Sequence, residues 1–354
     1  MGDAAIMQGA RQQQRGGRPA MLAVVLCLAL AAFAPTPRAH AASSAGSIVF
    51  TANDGIYVVA GDGGVPRRIW AAPAGTSGAE PRWSPNGDRI GFVGPDGNVW
   101  VMNADGTNAH AITTQAVAAA DCGEDGCTTP GVVADTPRWS PDGASVSYRL
   151  VTNLAGASIW IAGADGASAP RQVASANDLC LFNEGWSPAG KPLFSRCAGA
   201  AGPSNASYAG AGGSPQPFVA GSQLAFSTDG TRLAFSSQAM QNGTITVSLF
   251  VANADGSAAQ FVAADGQNPL WSASGLLAYR VGESNGWSIH VFDPASGKDA
   301  DLGSGVVQAW SPDGSWLLFS TTGDSGGTLW RMRADGSARQ QIAAGTSADW
   351  THSS

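Results

Sequence analysis

A five-residue stretch, Trp310-Ser311-Pro312-Asp313-Gly314, constrains this chain more than any other, and it is followed by the apolar run Trp316-Leu317-Leu318-Phe319. It reads as the end of one strand, a tight turn and the start of the next. Pro presets the backbone for a turn, and Gly accepts the positive φ that a tight turn demands. Variants recur at Trp83–Gly87, Trp139–Gly143 and Trp186–Gly190, and in weaker form at Phe226–Gly230 and Trp271–Gly275. A strand-built repeat of roughly 40–50 residues is the signature of a propeller array, in which each unit buries its faces against its neighbours.

In chain order the units read as four-stranded meanders. Ser47–Ala52, Gly55–Ala60 and Pro66–Ala71 are expected as the strands of a first unit that lacks a Trp-Ser strand of its own. The second unit is the clearest: Pro81–Ser84, Arg89–Val93, Asn98–Asn103 and Ala109–Thr113, turned by Asn86-Gly87 and Asp105-Gly106. Short β-branched and aromatic runs separated by such turns are what a meander requires. Five more units follow, the fourth obscured by a Gly/Ala/Ser-rich stretch, Ala198–Gly213. The tail Ser347-Ala348-Asp349-Trp350-Thr351 is an isolated inner strand, and the first unit lacks one. The expected fold is therefore an all-β propeller of four-stranded antiparallel blades. Inner strands at 83, 139, 186, 226, 271, 310 and 350 make seven blades, or six if the fourth unit merges with a neighbour. The C-terminal strand closes the ring, which removes the free sheet edges of an open array.

The repeated Trp-Ser-Pro-Asp-Gly with its following strand and Asp-Gly turn resembles the WD40-like repeat of the TolB family. The matching segments are 81–106, 137–166, 224–256 and 308–336, and with weaker matches the resemblance extends over nearly all of 46–351. It implies an exported propeller that acts as a binding platform for envelope or extracellular macromolecules; the residues themselves lead us to expect no catalytic residue, metal or cofactor. The α/β domain that precedes the TolB propeller has no counterpart here, so TolB's own role is not carried over.

The first forty residues differ from the rest. Arg11, Arg15 and Arg18 precede an apolar run, Ala20–Ala34, and Ala39-His40-Ala41 offers an A-x-A cleavage site. This is the pattern of a secretory signal peptide, and the run is short beside the roughly 20 residues of a membrane span. The expected organisation is signal peptide 1–41, linker 42–46 and a propeller domain 47–354, periplasmic or extracellular, monomeric and without a membrane span after cleavage. Removing residues 1–41 takes away four of the 19 basic residues and one of the 26 acidic ones, leaving a formal charge of −10. An acidic product with no basic run argues against nucleic-acid binding.

Four cysteines remain after such cleavage, an even number that in an exported chain points to disulfides. Cys122 and Cys127 bracket a short Gly-containing loop, and Cys180 and Cys197 flank the hairpin Leu181–Trp186/Pro192–Arg196, so local pairing is expected in both cases. Zinc is the rival, but no histidine is near them.

Several motifs invite a chemical reading. Gly323-Asp324-Ser325-Gly326-Gly327 matches the nucleophile motif of chymotrypsin-like proteases, yet none of His110, His290 and His352 sits in that family's histidine motif. Asp121, Glu124 and Asp125 concentrate acid in the Asp121–Cys127 loop without the ligand spacing of an EF-hand. The repeated tryptophans fit packing between blades better than sugar platforms. Because strands alternate direction, the short Ser-Pro-Asp-Gly and Ala-Asp-Gly turns share one face. The irregular connections Thr114–Thr136, Leu150–Ala157, Ala198–Gly213, Ser237–Gly243, Val281–Gly286 and Thr321–Gly327 share the other. Variable loops on a rigid scaffold are where binding resides. The expected contacts there are Arg149, Tyr208 and Trp287, with Asp121, Glu124 and Asp125 as an acidic rim. A protein partner is the leading expectation. The alternatives are a propeller enzyme of lyase or lactonase type with a metal in the channel, and a glycan-binding module.

Overall fold

Each Trp-Ser turn is held by its own serine. In the computed structural model Ser311 Oγ donates to Asp313 at 2.5 Å and accepts the Trp316 amide at 2.9 Å. Ser140 does the same with Asp142 and the Ser145 amide, and Ser227 with Asp229 and the Arg232 amide. The turn glycine is left-handed, with φ of 69° at Gly314 and 67° at Gly143. The motif is thus a hairpin clasp: the hydroxyl bridges the strand end to the start of the next strand, and the carboxylate fixes the hydroxyl.

The structure describes residues 45–52, 54–73, 79–116, 120–123, 126–129, 132–152, 156–197, 204–209, 214–241, 244–283, 286–321 and 327–351. Among them are seven four-stranded antiparallel sheets and one two-stranded hairpin. The inner strands of blades two to seven are Ala79–Trp83, Val132–Trp139, Leu181–Trp186, Ser222–Phe226, Gly266–Trp271 and Val306–Trp310. Blade one is assembled from both ends of this run of sequence: Arg67–Ala71, Gly55–Ala60 and Ser47–Ala52, with Thr346–Trp350 as its inner strand. Ile48 pairs with Trp350 and Phe50 with Ala348. Thr351 takes the serine's place across the closure, since its Oγ1 accepts the Ser47 amide at 2.9 Å.

Blade four is complete, which decides between six and seven. It comprises Leu181–Trp186, Pro192–Cys197, Ser204–Ala209 and Pro215–Val219. The stretch expected as a loop, Ala198–Gly213, therefore contains a strand, hidden by small residues that carry little β signal. The insertion before blade three likewise holds the hairpin Ala120–Gly123/Gly126–Thr129. Residues 1–41 and the Gly323–Gly326 portion of the protease-like motif lie outside the described residues. No helix among the described residues is long and apolar enough to cross a membrane.

Strand alternation sends successive side chains of one sheet into opposite neighbours. Ile48 and Phe50 of blade one pack with Leu318 and Leu329 of blade seven, while Val49 packs with Trp83, Ile90 and Phe92 of blade two. The core therefore lies between the blades, around the ring. The tryptophans belong to it, as expected, and they also tie it together. Indole Nε1 of Trp139 donates to Arg82 O, Trp186 to Arg138 O, Trp271 to Ala225 O and Trp310 to Leu270 O. In each case the acceptor is the residue just before the corresponding aromatic of the preceding blade.

Cys180 and Cys197 form a disulfide with Cα atoms 5.5 Å apart, joining the first two strands of blade four. Cys122 and Cys127 are register partners in the two-stranded hairpin, and their side chains lie outside the described residues.

Two predictions follow from the clasps and the closure. Trp350 is fully buried and its Nε1 donates to Ala45 O at 2.8 Å, so Trp350→Ala should destabilise by about 3–5 kcal/mol in urea unfolding. Asp142, Asp229 and Asp313 are held below the usual carboxylate range, each first by the serine hydroxyl of its clasp, and Asp229 is lowered to about 2. A carboxyl acidified by folding stabilises above its unfolded pKa and loses that contribution as pH falls through the folded value. The urea midpoint should therefore drop between about pH 4 and pH 2. The triple variant Asp142→Asn/Asp229→Asn/Asp313→Asn should show a flatter decline. Asn86, which already accepts from Ser84 Oγ at 2.9 Å, shows that an amide can serve the clasp.

Candidate functional site

The inner strands surround a channel of about 960 Å³. One end is lined by Arg149, Phe182, Cys197 and Gln238, on the loop-rich side, and the other by Pro85, Pro141, Thr228 and Pro312 of the short turns. An inner strand has a hydrogen-bonded partner on one side only, so its channel-side polar groups need other satisfaction.

The third residue before the aromatic is left-handed in five blades: Glu80 (φ 54°), Thr136 (48°), Gln223 (55°), Asn268 (51°) and Ser347 (45°). Non-glycine residues pay about 1–2 kcal/mol for this conformation. At each of these points the pairing with the second strand shifts register. The freed amides are taken by side chains of the preceding blade. Glu80 Oε2 accepts Thr136 N at 2.9 Å, and Gln223 Oε1 accepts Asn268 N at 2.8 Å. Gln308 Oε1 accepts Ala348 N, and Asp349 Oδ2 accepts Trp83 N at 2.9 Å. Glu184 does most: Oε1 accepts Ser195 Oγ at 2.5 Å and Gln223 N at 3.0 Å, and Oε2 accepts Leu224 N at 2.9 Å. Burial pushes the Glu184 carboxyl above its usual range, while these three donors and the nearby Arg138 pull against it.

The residues singled out from sequence are not brought to one point. Arg149 sits at the loop-rich end of the channel, bonded to Asp135 at 2.6 Å and to Leu181 O at 3.1 Å, with its guanidinium 5.4 Å from the Phe182 ring centroid. Its ion pair lies within blade three, and its bond to Leu181 O reaches blade four. Trp287 is the second residue of the third strand of blade six, Gly286–Asp293, on the same side, and the Arg280 guanidinium lies 3.8 Å from its ring centroid. Tyr208 belongs elsewhere. It pairs with Leu193 and Gln216, toward the short-turn end of its strand, because the strand inside Ala198–Gly213 carries it away from the loops. Asp121 lies in the two-stranded hairpin with its side chain outside the described residues, as are Glu124 and Asp125 entirely.

What sequence reading missed is the apolar character of the loop-rich rim and two channel arginines. Val133, Leu179, Phe182, Met240 and Ile245 are exposed large apolar side chains, and all five lie at the loop-rich ends of blades three to five. Phe261 and Val65, also exposed, lie toward the short turns. Arg82 and Arg138 precede the aromatic on adjacent inner strands and line the channel. Their signal was available as two neighbouring repeats reading Pro-Arg-Trp-Ser, whereas the other repeats carry Gly, Ala, Leu or Asp before the aromatic.

Comparison with solved structures places this architecture among known propellers. TolB from Acinetobacter baumannii is similar over 87% of this chain and 67% of its own, at 15% identity and a TM-score of 0.54. An oligogalacturonate lyase in complex with manganese is similar over 81% and 85%, at 11% identity and a TM-score of 0.62. The β-propeller domain of the Trilobed protease from Pyrococcus furiosus covers 85% and 98%, at 9% identity and a TM-score of 0.55. No family model matches the chain, and no curated protein matches it. These likenesses share the fold and nothing finer. The Pyrococcus domain is described as having an open velcro topology, whereas here the ring is closed by paired strands. Among the described residues no three His, Cys, Asp or Glu side chains converge on a metal-sized point. The channel lining, among the described residues, includes Glu184 and Asp349 and no imidazole.

Glu184 gives the site's own test. Glu184→Ala should leave the Gln223 and Leu224 amides without their acceptor, lowering stability by about 1–3 kcal/mol. Hydrogen exchange should be faster at those two amides than elsewhere in blade five.

Proposed function

We propose that the protein is an exported, non-catalytic binding platform that engages an envelope or extracellular protein through its loop-rich face. One observation carries this reading. Among the described residues, five of the seven exposed large apolar side chains lie at the loop-rich ends of three successive blades. Apolar side chains clustered on one rim of a rigid scaffold mark an interaction surface, whereas scattered ones need no explanation. Arg149 supports the same rim, because its bonds to Asp135 and Leu181 O hold it beside the Phe182 ring. The Cys180–Cys197 disulfide fits an oxidising compartment, in keeping with the signal-peptide pattern of residues 1–41. A propeller fold by itself hosts both binding and catalysis, so the fold does not separate this reading from an enzyme; the side chains carry the distinction.

The test compares the two faces. A partner captured from the native envelope fraction by the intact protein should be lost with Phe182→Ser/Met240→Ser and retained with Phe261→Ser/Val65→Ser. Interface aromatics at a well-packed centre cost 2 kcal/mol or more on truncation, so the rim pair should weaken binding at least about thirtyfold. Retention by the rim variant together with loss by the short-turn variant would place the partner on the opposite face and overturn the proposal.

A further inference from the structure

The residue before the inner-strand aromatic is Arg82, Arg138, Gly185, Ala225, Leu270, Ala309 and Asp349 around the ring. Two cations therefore stand side by side on blades two and three. Their carbonyls are occupied, by Trp139 Nε1 at 3.0 Å and Trp186 Nε1 at 3.1 Å, which fixes both backbones. Their side chains line the channel. Arg82 Nη1 donates to Ala348 O at 3.3 Å, and its Nε is enclosed without a partner. Among the described residues the Arg138 guanidinium has neither a hydrogen-bond nor an ion-pair partner. Gly185, in the equivalent position on blade four, is left-handed (φ 84°) and packs against the Arg138 side chain, where a Cβ would lie in ordinary contact, 3.4 Å from Arg138 Cβ and Cγ.

Three carboxylates act on Arg138, and each is committed elsewhere. Glu80 holds the Thr136 amide, Asp349 the Trp83 amide, and Glu184 two amides and a hydroxyl. They offset the local charge without filling the guanidinium's donor fork. Arg138 keeps contact with channel water although protein surrounds it. That enclosure, then the neighbouring Arg82, lowers it to about 10, and the three carboxylates act the other way. It remains a cation at neutral pH, with five donors. A bound anion would relieve both the enclosure cost and the repulsion from Arg82.

We propose that Arg138, with Arg82 beside it, is the head-group site for a small organic carboxylate held in the channel, its apolar body against Trp139, Trp186 and Leu224. A planar guanidinium fork matches a carboxylate in bidentate fashion, and a channel of about 960 Å³ has the size of a small-molecule site. The site is separate from the apolar rim and does not depend on a protein partner there. A phosphate shares the oxyanion chemistry, so the two are tested side by side.

The probes are phenylacetate, inorganic phosphate and, as a neutral match, phenylacetamide, titrated calorimetrically into the intact protein at low and high chloride. Phenylacetate should bind saturably and phenylacetamide should not. Loss of a charge-assisted fork should weaken phenylacetate about ten- to a hundredfold in Arg138→Gln, with Arg138→Lys between the two and Arg82→Gln also weakened. Thermal unfolding of each variant reports that the ring is intact, and the amide–acid comparison in the unaltered protein needs no variant. Equal binding of phenylacetate and phenylacetamide, no binding of either, or unchanged affinity in both Arg138 variants would overturn the site. Phosphate binding without phenylacetate binding would overturn the assignment to a carboxylate.

Discussion

An inner propeller strand is a sheet edge turned toward a channel, and the rest of this structure depends on how that edge is satisfied. The backbone cannot do it alone, because a left-handed residue interrupts the pairing in five blades. Side chains reach across instead: Glu80, Glu184, Gln223, Gln308 and Asp349 each accept an amide of the next inner strand. Such bonds give modest net stability when made and cost more when one partner is lost. The ring is thus fastened at its narrowest circumference by polar groups and, farther out, by apolar packing between blades.

The same arrangement sorts structural from unusual residues. The Ser-Asp clasp and the indole bond to the preceding blade recur and are explained by their local geometry. Arg138 breaks the pattern, since it has donors and no acceptor among the described residues. Repetition identifies architecture, and the departure at Arg138 is what the proposed carboxylate site rests on.

Sequence reading recovered most of the fold because short strands bounded by Asp-Gly and Asn-Gly turns leave a strong local signal. Ser47–Ala52, Gly55–Ala60 and Arg89–Val93 coincide with the strands observed, and Trp350 closes the ring as its unpaired Trp-Thr suggested. The pairing of Cys180 with Cys197 was legible from the hairpin they flank. Ser204–Ala209 was not, because small residues carry neither a strong strand preference nor a clear alternation, and Tyr208 was misplaced with it. The channel was harder still. Which residue before the aromatic has a partner depends on side chains arriving from other blades, at separations such as the 266 residues between Trp83 and Asp349. No local pattern encodes that.

The Thr351 bond to the Ser47 amide spans 304 positions. It joins the two ends of the folded sequence, so it cannot exist until residue 351 has left the ribosome. Six blades are complete without that tail, but blade one has only three strands and an open inner edge. A product that stops short therefore carries a visible defect, an unpaired strand at the ring's seam. Such an edge is what templates aggregation and invites proteolysis. In this chain ring closure doubles as a record that the strand Thr346–Trp350 has been made.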